Sequence, residues 1–322
     1  MLNRILVPLE GSNLAECVLP HAKAIAQSVG AQVMLLHVVE QEKSDIASQV
    51  DPLNWYLRKV EAQSYIDQVS RQCQQTNLSI TNALLEGPAA ARVVEYAHDN
   101  DVDLIVLSNQ SQSGVAQKVI WQVRKSIMLV RAQWLEGSQP DEIRYNRILI
   151  PLDGSLRAES ILPVAIHLAK YHQAELLLVH VVPRPGILHR HPLTLEDSDL
   201  IDQITQRNLT NATEYLEQLQ LRLPPEAQIR LLASDNVIAS LHELVEQEKV
   251  DLVILCAHGH SGDNQRPYGN VVTNFITYGV APLLVIQDLP SPKTRSYSSE
   301  NATHSLNRVM GRHILANAHV TQ

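Results

Sequence analysis

The chain has 322 residues and a formal charge of −8, with 26 Lys and Arg against 34 Asp and Glu. An acidic chain without a basic stripe argues against nucleic acid or an anionic membrane surface as a partner. Its three cysteines (Cys17, Cys73 and Cys256) are far apart and form no CxxC spacing, so neither a disulfide framework nor a zinc knuckle is supported and a reducing compartment fits best. The composition is 45% hydrophobic but 4% aromatic, so Leu, Ile, Val and Ala must build the interior. That favours strands covered on both faces by helices. The N-terminus opens directly into a strand pattern, and no apolar run reaches membrane-spanning length, so a cytoplasmic protein is expected.

In chain order, Ile5 to Leu9 reads as a short strand ending in Glu-Gly-Ser, and Ser12 can cap a helix running to Gln27. Val33 to Val39 is a second buried strand. A polar amphipathic helix follows from about Asn54 to Gln75, then an edge-like strand from Leu78 to Leu85. Pro88 suits the first turn of a helix that reaches about His98. Leu104 to Leu107 is a fourth strand, Val115 to Arg124 a last helix, and Ile127 to Val130 a fifth strand. After a linker from Ala132 to Tyr145, the order repeats with strands at Ile148 to Leu152, Glu175 to Val182, Gln228 to Leu232, Leu252 to Cys256 and Leu283 to Ile286. The tail from Ser291 is polar and reads as disordered, with a short helix around Leu306 to Leu315.

The repetition is literal. RILVPLEGS from Arg4 returns as RILIPLDGS from Arg147, an offset of 143 residues. Ala15-Glu16 returns as Ala158-Glu159, and His37-Val38-Val39 as His180-Val181-Val182. Val102-Asp103-Leu104 returns as Val250-Asp251-Leu252, now at an offset of 148, so a small insertion lies between. One folding unit has been duplicated. Five strands with crossover helices make each copy a parallel, doubly wound sheet. The divisions read as 1–131, linker 132–145, 146–288 and tail 289–322.

In such sheets ligands bind beyond the carboxyl ends of the strands, at the switch point. In the second copy this singles out Pro151 to Ser155, His180 to Pro183, and CAHGHSGDNQRPYGN from Cys256 to Asn270. Gly259, Gly262 and Gly269 allow close backbone approach, and a helix start near Gly269 offers amides to phosphate. Arg266 adds a charge-assisted contact, and Asp153 sits where a ribose hydroxyl or phosphate-bound cation would lie. On glycines alone, a plain surface loop is an equal reading. Two His-x-His pairs, His258 with His260 and His189 with His191, lack a carboxylate or Cys at ligand spacing and read as solvent-exposed loop histidines rather than a metal site. His37 and His180 read as structural, Ser12 and Ser155 as helix caps, and Cys256 as a buried strand end. No catalytic residue is assigned.

The strand-one motif, the strand order and the glycine loop before the last helix resemble the universal stress protein family over about residues 1–130 and 145–288. The resemblance implies two tandem flavodoxin-like, adenine-nucleotide-hydrolase-like domains. It also implies ATP or AMP, with Mg, on a G-x2-G-x9-G-[ST] loop. Here that loop falls on Cys256, Gly259, Gly269 and Asn270, so two of its four positions are kept. Adenine would pack near Val181, the ribose near Asp153 and the phosphates on Gly259 to Asn270, with Pro151 also a binding residue. Pro267 removes an amide donor, and Asp263 brings a carboxylate near the phosphates. The first copy has SNQSQS for the glycine pair, half the loop length and Glu10 for the aspartate, so it reads as a structural or dimerisation partner. The resemblance further implies an intrachain pseudo-dimer, in which Met128-Leu129-Val130 meets Leu284-Val285-Ile286, and it allows a homodimer. Three readings stay open: a stress-response nucleotide binder without efficient turnover, an interaction module with decayed sites and an unknown protein partner, and a slow ATP hydrolase or phosphotransferase.

Overall fold

The structure is a computed structural model that describes residues 2–12, 15–40, 52–73, 78–109, 114–131, 142–185, 194–260 and 265–288. Gly262, Asp263, His189, His191, most of the linker and the tail with its expected helix lie outside the described residues.

The first half contributes strands β1 Arg4–Leu9, β2 Gln32–Val39, β3 Ile80–Glu86, β4 Leu104–Ser108 and β5 Ser126–Val130. The second contributes β6 Arg147–Leu152, β7 Glu175–Pro183, β8 Gln228–Ser234, β9 Leu252–Cys256 and β10 Leu283–Ile286. They form one ten-stranded sheet ordered β3-β2-β1-β4-β5-β10-β9-β6-β7-β8. Pairing is parallel inside each half. Each half is therefore doubly wound, with its switch point between β1 and β4, or between β6 and β9.

The halves join where β5 and β10 pair antiparallel, with Leu129 opposite Leu283, Met128 opposite Leu284 and Ile127 opposite Val285. These are apolar strands with every β5 residue buried, so the seam continues the core rather than interrupting it.

The helices are α1 Val18–Val29, α2 Pro52–Cys73, α3 Ala89–Asp99, α4 Val115–Gln122, α5 Leu156–Glu159, α6 Leu162–His172, α7 Leu195–Gln220, α8 Val237–Gln247 and α9 Asn270–Tyr278. Strand period two divides the core between the sheet faces. Ile5, Val7 and Leu35 pack with Ile25 of α1 and Ile66 of α2, whereas Leu6, Met34 and Leu36 pack with Val93 of α3 and Val119 of α4. Each layer also includes residues of the other half, such as Ile150 with α6 and Leu149 with α8. α2 lays Ala62, Ile66 and Val69 inward and leaves Leu53, Tyr56, Leu57 and Val60 exposed.

The continuous helix expected from Ser12 is instead a 3-10 turn, Ala15–Cys17, followed by α1. In the second half α5 stops and α6 begins anew. Pro20 and Pro163 sit at the two restarts, where a missing amide and a restricted preceding residue interrupt the ladder. Ser12 Oγ accepts from Ala15 N at 3.2 Å and Ser155 Oγ from Ala158 N at 3.1 Å, so both serines cap. Pro88 stands just before α3, extended at ψ 117°, rather than inside its first turn.

The repeated Val-Asp-Leu has a physical reason. Asp103 accepts from Asn3 N at 2.7 Å and Arg4 N at 3.1 Å, pinning the start of β1. Asp251 does the same for β6, accepting from Asn146 N at 2.7 Å and Arg147 N at 3.0 Å. No helix among the described residues is long and apolar enough to cross a membrane.

Candidate functional site

A cavity of about 390 Å³ opens at the switch point of the second half. Pro151 and Asp153 follow from β6, Val181 from β7, and Gly259, Arg266, Gly269 and Asn270 from the loop after β9; all seven line it. Gly262, the eighth residue named from the sequence, lies outside the described residues. The sequence reading missed the wall made by α8, where Val237 and Leu241 face the cavity from successive turns, and it missed Tyr268. The i, i+4 spacing on α8 carried that signal.

Asp153 organises the loop. Its Oδ1 accepts from Ser155 N at 3.0 Å and Ser155 Oγ at 2.6 Å, and its Oδ2 accepts from His260 N at 2.6 Å. Partial burial alone would raise the carboxyl, but these bonds outweigh it and leave Asp153 below the usual carboxylate range. A side chain at Gly259 would overlap the Asp153 carboxylate, so this glycine is fixed by close approach. Gly269 differs. It has an ordinary φ of −73° as the N-cap of α9, and an added Cβ would meet Ala257 O at a comfortable 3.6 Å. Its own amide donates to Ala257 O at 2.8 Å, closing the loop at its neck. The first-turn amides of α9, starting at Asn270, remain the natural anion donors.

The structure corrects the reading of His258 as an exposed loop histidine. Its side chain is 0% exposed. Nδ1 lies 2.7 Å from Asp288 Oδ1, and Nε2 lies 2.8 Å from Arg266 O. Both ring nitrogens are therefore engaged. The ring thereby ties the loop at Arg266 to the chain just beyond β10. His260, by contrast, is exposed. Cys256 is buried, 4.0 Å from Ser160 Oγ, and burial pushes its thiol up, so it is no ready nucleophile.

His37 Nδ1 bonds to Leu9 O at 2.8 Å, and burial lowers the ring below its ordinary value. Burial lowers His180 too, while the Leu152 carbonyl works the other way. Among the described residues His180 Nδ1 has no partner in hydrogen-bonding geometry.

The first half keeps an open cleft of about 770 Å³ at its own switch point. Glu10, Glu40 and Glu61 line it, with Arg58 and His37. Glu40 Oε1 accepts from Ala89 N at 2.5 Å, so a carboxylate of the protein already occupies the N-terminus of α3. These carboxylates oppose a phosphate.

The universal stress protein family model matches residues 1–131 and again residues 144–287. The chain belongs to the universal stress protein family. Single-domain relatives match one half. A universal stress protein of Methanocaldococcus jannaschii is 25% identical over 132 residues, covering 40% of this chain and 76% of the relative. Universal stress protein YxiE of Bacillus subtilis is 26% identical over 152 residues, covering 44% of this chain and 99% of the relative. Among solved structures, a universal stress protein from Archaeoglobus fulgidus superposes with a TM-score of 0.59 at 13% identity, over 89% of this chain and 99% of that one. A putative universal stress protein from Pseudomonas aeruginosa gives 0.62 at 13% identity over 88% and 93%. At that identity the likeness establishes the tandem fold alone.

Proposed function

We propose that this tandem universal stress protein binds an adenine nucleotide, ATP or AMP, in its second half and acts through occupancy rather than turnover. The carrying observation is the second-half cavity, where Asp153, the apolar wall at Val181, two loop glycines and the start of α9 converge. The base packs against Val179, Val181 and Leu241, and the phosphates take the first amides of α9, with Arg266 and Asn270 beside them. Asp153, held by Ser155 and His260 at the cavity wall, presents its carboxylate as an acceptor for a ribose hydroxyl. Magnesium arrives with the phosphates of ATP and supplies charge neutralisation there. Turnover is disfavoured because the described lining holds no lysine and both ring nitrogens of His258 are engaged. The first half serves as the fixed partner of an intrachain pseudo-dimer.

The test is thermal unfolding of nucleotide-stripped protein with ATP or AMP plus magnesium. A rise that grows with nucleotide concentration is expected, worth about 2.7 kcal/mol at 100 times Kd. No rise up to about 1 mM sinks the reading and favours the interaction module. Gly269→Ala sharpens it: the methyl fits without a clash, so the variant should stay folded with a slightly lower melting temperature from the poorer N-cap, yet bind about tenfold or more weakly.

A further inference from the structure

Three residues in one stretch of the first half reach into the second. Trp121, in the last turn of α4, packs edge-on against Tyr268, with ring centroids 5.9 Å apart at 70°. Arg124 Nη2 donates to Gln265 O at 3.5 Å, a long bond. Arg131 Nη2 donates to Ile276 O at 2.8 Å and to Phe275 O at 3.2 Å, at the end of α9. The ligand loop and the helix it feeds are thus held from outside at both ends. Tyr268 is 2% exposed and lines the cavity, and among the described residues its hydroxyl has no partner. Trp121 stays 41% exposed, so its indole is spent on this contact rather than on a core.

These three contacts are not mirrored residue for residue. From helix cap to helix cap Gly114 corresponds to Gly269, so Trp121 corresponds to Ile276. In the strand register Ile127 corresponds to Leu283, so Arg124 and Arg131 correspond to Val280 and Gln287. None of these carries an indole or a cation with which to return the hold. The seam fixes where the gripping residues stand, because β5 follows α4 directly and is paired to β10.

We propose that the first half is a positioning element for the ligand loop of the second, and that Trp121 is the positioning residue, acting through Tyr268. This deepens the nucleotide-binding reading and rests on it for the ligand.

The experiment uses the full chain and two readouts. The first is amide hydrogen exchange at Ala257–Gly259 and Gln265–Asn270 without ligand. Edge-to-face aromatic pairs set the scale, so Trp121→Ala should speed these amides about three- to tenfold, with β6 to β8 unchanged. Trp121→Phe keeps an aromatic edge on Tyr268 and should restore most of the protection. The second is AMP affinity by calorimetry, which should weaken by a similar factor in Trp121→Ala and recover in Trp121→Phe. Unchanged loop exchange in Trp121→Ala overturns the proposal, as does a faster loop with unchanged AMP affinity. If wild type binds no AMP, the nucleotide reading falls, and the exchange result alone decides whether Trp121 holds the loop.

Discussion

A methyl group at Gly259 has nowhere to go while Asp153 keeps its bonds. Gly259→Ala must push aside a carboxylate that holds Ser155 and His260, or move the loop. Overpacking of this kind costs about 1–3 kcal/mol. The urea midpoint of Gly259→Ala should fall accordingly, and adding Asp153→Ala should cost less than the sum of the two single changes, because the clash has gone. Strict additivity in that cycle would mean the two residues do not meet. Residue pairs also record the duplication. Cys17 Sγ lies 3.7 Å from Ser108 Oγ, and Ser160 Oγ lies 4.0 Å from Cys256 Sγ, so the two copies hold the same thiol–hydroxyl pair with its members exchanged. His37 with Tyr65 and His180 with Tyr215 repeat a second contact, at ring distances of 5.7 and 6.0 Å. Burial, helped by Glu16 and Glu159 respectively, keeps both phenols protonated.

At the scale of elements, strands were readable because buried parallel strands are short apolar runs and each run occurs twice. The seven described cavity residues were readable for a related reason: strand ends at a switch point converge whatever the loops do. What escaped was long-range and without a motif. Nothing near His258 announces that Asp288, thirty residues on, will bury it. Nothing near Tyr268 announces Trp121 from the other copy. The broken helix at Pro20 and Pro163 was readable in principle, since proline interrupts a helical ladder, yet the apolar spacing on either side masked it. Arg131, just past β5, caps α9 across the seam. A charged donor on two carbonyls is worth about 1.5–3 kcal/mol, so Arg131→Ala should lower unfolding stability by roughly that amount. Arg131→Lys should recover less than half, because an ammonium lacks the planar fork. Full recovery by lysine would show that charge alone matters.

For the whole molecule, the seam that fuses two sheets into one also gathers neutral histidines. His21, on α1, lies 2.9 Å through Nδ1 from the hydroxyl of Tyr145, which leads into the second half. Tyr145 packs in turn on His172, with ring centroids 4.9 Å apart. Burial lowers His21 from 6.5 to about 4, and burial followed by the Arg144 charge lowers His172 as well. The sign follows from linkage. The folded ring is neutral, while the unfolded ring takes a proton near its ordinary value. Stability from keeping His21 neutral is therefore fully present above pH 6.5 and is lost progressively as the pH falls to about 4. At the acid end the loss from this one residue is about 3 kcal/mol. Urea midpoints measured between about pH 7 and pH 4 should drop steeply for wild type. His21→Gln keeps an acceptor for the Tyr145 hydroxyl and removes the titration, so its midpoint should drop less over the same range. Carboxylates that titrate in both proteins cancel in the difference, which isolates the seam. Parallel pH profiles for the two proteins would place the acid sensitivity elsewhere and leave His21 a packing residue.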